Sequence, residues 1–348
     1  MKKFPLIILT FILTLGSGSV YEACTRVVYK GTDNTVLTAR SMDWKDEIPA
    51  NLWVFPREIQ RNGQVGPGSV KWTSKYGSII SSSWDITSSD GMNEKGLVAN
   101  MLWLGESKYP VFNPKGRQKG LAISLWAQYF LDNFATVKEA ADHMKKDPFV
   151  VVSDNIPGTE KFTTVHLSLS DASGDNAVFE YIDGKLVIHH DPKYTVMTNS
   201  PVFDEQLALN NYWQGIPGTI MLPGTNRAAD RFVRASYYIN AIPKTSDTRT
   251  AVASVFSVIR NCSVPYGISS DTEPNISSTR WRSVSDQKNL VYYFETVFTP
   301  NTFWVNLKDF DLNPKAKIMK LDLSNYQTYS GKANKDFKES AAFTFLGL

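Results

Sequence analysis

Short runs of alternating apolar and polar residues dominate the first hundred positions after residue 24, and this period of two predicts strands. Arg26-Val27-Val28-Tyr29 and Thr35-Val36-Leu37-Thr38-Ala39-Arg40 flank a Gly31-Thr32-Asp33-Asn34 turn, which reads as an antiparallel hairpin. A hairpin there returns Arg40 and Asp43 to the side of Cys24. Further strands are predicted at 52–56, 70–72, 78–84 and 97–104, with 90–96 as a turn. The period then changes. Leu121, Leu125, Tyr129 and Phe130 share one helical face, predicting a helix over 120–134. Thr136 and Glu139 form a capping box that starts a second helix. Strands follow at 162–169, 177–181, 185–189 and 194–198, helices at 203–213, 230–242 and 248–259, and strands at 277–286, 291–296 and 302–307. Sheet, helices, sheet, helices, sheet is not the regular alternation of a parallel βαβ fold. The pattern predicts an α+β domain over 24–348, two mainly antiparallel sheets packed together with helices outside.

The first 23 residues are set apart. Lys2 and Lys3 precede an apolar run over 6–15 and the small residues Gly16-Ser17-Gly18-Ser19, the three parts of an export signal. The apolar run falls short of the roughly 20 residues a membrane-spanning helix needs. Cleavage after Ser19 satisfies the small-x-small rule and leaves Val20-Tyr21-Glu22-Ala23 as a short propeptide; cleavage directly before Cys24 puts Tyr21 where a small residue is wanted. Either route makes Cys24 the first residue of an exported chain, periplasmic or secreted. An alternative class of function, a lipid-anchored surface binding protein acylated at Cys24, wants an aliphatic residue at Tyr21 and a small one at Glu22, and finds neither.

Composition narrows the chemistry. A net charge of +3 with both signs mixed gives no reason for a nucleic-acid partner. Nine tryptophans and fifteen tyrosines suit a pocket for a bulky apolar ligand. The four histidines form no recognisable ligand set, so neither metal nor cofactor is expected, and no G-x-S-x-G elbow supports a serine hydrolase. The two cysteines, Cys24 and Cys262, leave open a structural module closed by a Cys24–Cys262 bridge. A free N-terminal Cys24 offers more: thiol and α-amine on one residue, nucleophile and base within hydrogen-bond reach, with ordinary pKa values of about 8.5 and about 7.7–8.0.

Four polar stretches accompany that cysteine: Arg40-Ser41-Met42-Asp43-Trp44, Asn93-Glu94-Lys95-Gly96, Thr198-Asn199-Ser200-Pro201, and Asn226-Arg227-Ala228-Ala229-Asp230-Arg231-Phe232-Val233-Arg234. In this order they resemble the choloylglycine hydrolase family of N-terminal-nucleophile amidases, which includes bile salt hydrolases and penicillin V acylases, over nearly the whole chain after residue 23. The resemblance implies a four-layer αββα sandwich. It implies catalytic roles for Cys24, Arg40, Asp43, Asn199 and Arg231: Asp43 orienting the Cys24 amine, Arg231 pairing with Asp43 or fixing the site's charge balance, and Asn199 donating to the oxyanion. Where bile salt hydrolases carry an asparagine and some acylases a tyrosine, this chain has Trp103, leaving its part in the oxyanion hole open. Trp84, Trp103, Tyr129 and Phe149 are candidate walls of the acyl pocket. The implied substrate is a linear amide with a bulky apolar acyl group, a conjugated bile acid, penicillin V or an N-acyl homoserine lactone. The implied assembly is a homo-tetramer.

Overall fold

A computed structural model describes residues 23–269, 277–299 and 301–348; the leader, apart from Ala23, lies outside the described residues. Strand β1 (Cys24–Lys30) and strand β2 (Val36–Trp44) form the expected hairpin, with Cys24 opposite Met42, Thr25 opposite Ser41 and Arg26 opposite Arg40. They sit inside a seven-stranded sheet, between Val196–Met197 on one side and Ser278–Asp286, Val291–Thr296, Phe303–Asn306 and Gly331–Lys332 on the other. A nine-stranded sheet runs from Lys185–His190 through Asn176–Ile182, Val165–Ser170, Val98–Trp103, Thr87–Asn93, Ser78–Ser83 and Leu52–Phe55 to Met319–Leu321 and Lys338–Glu339.

The helices cover the outer faces. Helix α1 (Trp126–Asn133) and helix α2 (Val137–Met144) pack on the nine-stranded sheet, burying Phe130, Leu131 and Ala140 against Leu97, Leu167 and Phe179. Thr136 accepts from the Glu139 amide at 3.2 Å while the Glu139 carboxylate accepts from the Ala135 amide at 2.9 Å, so the capping pair operates as its sequence suggests. Helix α3 (Phe203–Gln214), helix α4 (Ala228–Ala241) and helix α5 (Thr248–Asn261) lie on the other side of the molecule, where Phe232, Ile239, Val255 and Ile259 join Val27, Tyr29 and Leu37 of the seven-stranded sheet in one core. The same core holds Leu52, Val54, Ile79 and Val98 from the facing sheet. This is the α-β-β-α layering, and the fold expectation holds.

Two elements differ from their sequence reading. Residues 90–96 are not all turn: Thr87–Asn93 is a central strand, buried from Ser88 onward, and only the residues after Asn93 turn back. Its composition, Thr-Ser-Ser-Asp-Gly-Met-Asn, hides it because Asp90 faces a polar interior and Gly91 lies beneath α1. A Cβ at Gly91 would meet the Ile79 carbonyl oxygen at 2.6 Å and Leu131 at 3.0 Å. The helix expected over 120–134 begins only at Trp126, after a 3₁₀ turn at Ile123–Leu125. Lys119–Ala122 is instead a strand paired in parallel with Phe149–Val152. A Cβ on Gly120 would come within 2.8 Å of the Phe112 ring, so close packing favours glycine at this point.

That second pairing corrects two pocket residues. Tyr129 and Phe149 stack edge to face at 4.7 Å in the core beneath α1 and α2, with the Tyr129 hydroxyl 3.0 Å from His143 Nε2. They lie on the outer face of the nine-stranded sheet, and neither lines the cavity beside Cys24. Their aromatic character suits a ligand wall and a core equally, and only tertiary packing separates the two. Phe149→Ala is therefore expected to lower stability by about 3–5 kcal/mol in denaturant unfolding while leaving KM unchanged. A raised KM at intact stability would restore Phe149 to the pocket.

Candidate active site

Because side chains alternate across a strand, the hairpin register divides the site into two halves. Cys24, Met42 and Arg40 project toward the nine-stranded sheet, whereas Thr25, Ser41 and Asp43 project toward the helices. The backbone of Cys24 lies between.

On the inter-sheet side, the Arg40 guanidinium is 3.8 Å from Cys24 Sγ and 3.4 Å from Met42 Sδ. It donates to the Ser89 carbonyl at 2.7 Å, lies 4.0 Å from the Asp90 carboxylate and rests 4.9 Å from the centre of the Trp281 ring. Asp90 in turn accepts from Asn100 at 2.6 Å and from the Tyr292 hydroxyl. Arg40 and Asp90 are both essentially sealed from solvent. A buried charge without its counter-charge costs several kcal/mol, so Asp90 is what allows a cation to stand beside the thiol. Sequence reasoning passed over Asp90 as a turn residue; its signal was that it is the sole ionisable side chain in 87–93. Burial pushes the Cys24 thiol pKa up and Asp43 adds to the rise, while the Arg40 charge opposes both.

On the helix side, Arg231 of α4 donates to the Cys24 carbonyl, to Thr25 Oγ1 at 2.7 Å, to Asn199 Oδ1 at 2.8 Å and to the Asn226 carbonyl at 2.9 Å. The expected Arg231–Asp43 ion pair is not formed: the guanidinium is taken up by these four oxygens, and its charge reaches Asp43 only at longer range. Nor does Asp43 hold the Cys24 nitrogen. That nitrogen donates to Asn199 Oδ1 at 2.6 Å, and the Asp43 carboxylate accepts from Thr279 at 2.6 Å and Ser41 at 3.3 Å. Burial pushes Asp43 up to about 6 despite the opposing Arg231 charge and the two hydroxyl donors. Asn199 is thus the residue that touches the Cys24 nitrogen, and its Nδ2 donates to the Trp103 carbonyl at 2.7 Å.

The thiol faces a cavity of about 120 Å³. Trp44, Trp84, Trp103, Met101, Ile123 and Ile156 supply most of its apolar wall. Trp44 meets Trp103 edge to face at 5.4 Å and Trp84 at 6.4 Å. Trp84 has φ +52°, unusual for a bulky residue. Its turn is fixed by Asp85, which accepts from Trp53 Nε1 at 2.7 Å, Asn51 at 2.8 Å and Lys320 at 2.9 Å. Of the four aromatic candidates, Trp84 and Trp103 line the cavity, and Trp44 joins them. Cys24 and Cys262 are both free thiols, so the bridged-module alternative is not the arrangement found. Cys262 lies 3.9 Å from the Arg231 carbonyl. Among the described residues no three His, Cys, Asp or Glu side chains converge as a metal ion requires.

Comparison with known proteins agrees with this geometry. The model of the linear amide C–N hydrolases, choloylglycine hydrolase family, matches residues 24–329. The chain belongs to that family. It begins its match at Cys24, and the enzyme is a hydrolase of linear amides. A penicillin V acylase of Pectobacterium atrosepticum is 51% identical, over 97% of this chain and 95% of its own length. The structure of penicillin V acylase from Agrobacterium tumefaciens superposes with a TM-score of 0.87 at 59% identity, covering 93% of this chain and all of that one. A bile salt hydrolase/transferase of Clostridium perfringens is more distant, 25% identical over 78% of this chain and 89% of its own.

A carboxylate held at about 6 beside the Cys24 backbone predicts a step on the acid side of the pH–rate profile. As pH falls through that value Asp43 gains a proton and loses its charge. The kcat/KM of the linear amide hydrolase is expected to show a decline at about 6, in addition to any limb set at higher pH by the Cys24 thiol or amine, and Asp43→Asn to remove the step near 6 while lowering the plateau. A pH–rate profile of Asp43→Asn that keeps the step near 6 would assign it to another group.

Proposed function

We propose that this hydrolase cleaves phenoxyacetyl amides of the penicillin V type, with Cys24 as an N-terminal nucleophile. The observation that carries the reading is the small, tryptophan-walled cavity beside the thiol. An apolar protein cavity of about 150 Å³ holds one benzene ring. A cavity of about 120 Å³ is therefore matched to a phenyl-sized acyl group better than to the fused rings of a conjugated bile acid. The two relatives named penicillin V acylase support the same choice.

In this reading the freed α-amine of Cys24 takes the thiol proton, and Arg40 stabilises the resulting thiolate. Sulfur adds to the amide carbonyl. Asn199 has two Nδ2 hydrogens; one is on the Trp103 carbonyl, and the other serves the oxyanion, a contact whose loss costs about 100–1000-fold in rate. Trp103 contributes its carbonyl to hold Asn199 and its ring to the cavity. The ammonium returns its proton to the leaving amine as the C–N bond breaks. Water then cleaves the thioester, releasing the acid and restoring the thiol. Arg231 keeps the Cys24 carbonyl fixed throughout.

The same residues account for maturation. Ala23 is buried at the site, so the Ala23–Cys24 bond lies where the thiol and its partners can act on it. We assign export to the leader, the periplasm or exterior as the location, self-cleavage to Cys24 and a homo-tetramer to the mature enzyme. When the chain lacking residues 1–19 is expressed, intact-mass spectra are expected to show Val20-Tyr21-Glu22-Ala23 removed from wild type and retained in Cys24→Ala; removal from both would end the self-processing reading.

Substrate choice is tested by turnover of penicillin V, glycocholate and a long-chain N-acyl homoserine lactone. Penicillin V is expected to have the highest kcat/KM, and Cys24→Ala to lose at least about a thousandfold. Faster turnover of glycocholate or of the lactone would replace the phenoxyacetyl assignment.

A further inference from the structure

Beneath the turn that carries Asn199 lies a buried histidine–carboxylate pair that the mechanism above leaves unused. His166, on Val165–Ser170, and Glu180, on the adjacent strand Asn176–Ile182, are each 1% exposed. His166 Nδ1 is 2.8 Å from Glu180 Oε1, and Nε2 is 2.8 Å from the carbonyl oxygen of Thr198. Glu180 also accepts from the backbone amide of Phe203, the first residue of α3, at 3.1 and 3.2 Å. The pair therefore grips both flanks of the segment that holds Asn199, one by its carbonyl and the other by its amide. Gln206, one turn into α3, completes the brace by donating to the carbonyls of Asn199 at 3.0 Å and Ser200 at 2.8 Å.

Counting hydrogens makes the pair specific. A carbonyl oxygen only accepts, so His166 Nε2 carries hydrogen. Glu180 also acts as an acceptor: burial alone would raise it, but donors from His166 and His189 and the Phe203 amide hold it down at about 2. Nδ1 meets the Glu180 carboxylate, so both ring nitrogens are held and the ring cannot turn away from Thr198 without breaking its contact to Glu180. The other titratable groups facing this pair are His189, with Nε2 3.5 Å from Glu180 Oε2, and through it the exposed Asp204 of α3, 3.4 Å from His189 Nδ1.

We propose that His166 is a positioning residue for amide hydrolysis: braced at Nδ1 by Glu180, its Nε2–H anchors the Thr198 carbonyl and so fixes Asn199 between the Cys24 nitrogen and the Trp103 carbonyl. Asn199 acts on the transition state, so loosening it lowers kcat and spares KM. The kinetic arm rests on the phenoxyacetyl reading; the spectroscopic arm does not.

The test uses the full mature enzyme with ¹⁵N-labelled histidine. Wild type is expected to show a histidine Nε2–H protected from solvent exchange, absent from His166→Gln. With penicillin V, His166→Leu is expected to lose about a hundredfold in kcat at unchanged KM, as a misplaced catalytic group does. His166→Gln, with an amide donor in reach of the same carbonyl, is expected to recover most of the lost kcat and stands in for His166→Leu should that variant not fold. Unchanged kcat in His166→Leu, a His166→Gln no better than His166→Leu, or a wild-type His166 whose Nε2 carries no hydrogen would overturn the proposal. Absence of wild-type turnover on phenoxyacetyl amides would instead defeat the substrate reading, with the ring's protonation still read by the spectrum.

Discussion

The pleat of one strand governs this active site. Arg40 and Asp43 are three residues apart on β2, an odd spacing, so they project to opposite faces of the seven-stranded sheet. Pairing Cys24 with Met42 then places the thiol on the Arg40 face and the Cys24 backbone within the sheet that separates Arg40 from Asp43. A slip of one residue would exchange the faces and leave the thiol among helix-facing groups. Cys24 is thereby contacted from different layers of the sandwich: its sulfur from between the sheets, its nitrogen and carbonyl from the side where α4 packs.

Each layer has to supply charge in a place that water does not reach. Between the sheets, Asp90 with its Asn100 and Tyr292 donors balances Arg40. On the helix side, the Arg231 guanidinium is spent on four oxygens, two of them on Cys24 and Thr25. These are interactions whose removal leaves a buried charge unpaired, which is far costlier than loss of a surface ion pair. They explain why strands with so many polar residues form the middle of the molecule: Ser41, Asp43, Asp90, Asn100, Thr279 and Ser283 are all buried, and all are hydrogen-bonded to one another or to the site. The apolar wall of three tryptophans abuts this network directly, so that polarity stops at the thiol and the acyl cavity begins.

Much of the site was legible along the chain because its residues lie in local patterns. The hairpin turn at Gly31-Thr32-Asp33-Asn34 dictated that Arg40 and Asp43 return to Cys24, and the strand end at Asn199 and helix start at Arg231 carried recognisable neighbours. What was misjudged depends on distance in space. Asp43 and Arg231 are complementary in charge, which made an ion pair the natural expectation, yet the backbone oxygen of Cys24 and the Asn199 amide lie nearer to the guanidinium. Asp90 reads as a turn residue along the chain because glycine and asparagine near it are turn formers, and its strand owes its existence to neighbours on both sides rather than to its own propensity. Tyr129 and Phe149 were indistinguishable from pocket aromatics until the packing of α1 assigned them to the far core.

Alternation, helical periodicity and capping are encoded over a few residues and suffice for the layers, and the position of Cys24 marks the head of the family match. Tertiary structure alone decided which oxygen each buried arginine holds, which tryptophans wall the cavity, and that Asn199 rather than Asp43 meets the Cys24 nitrogen. The physical reason is that hydrogen bonds form with whatever acceptor lies within about 3 Å, and that selection is made by the packing of two sheets and three helices brought together from every part of the chain.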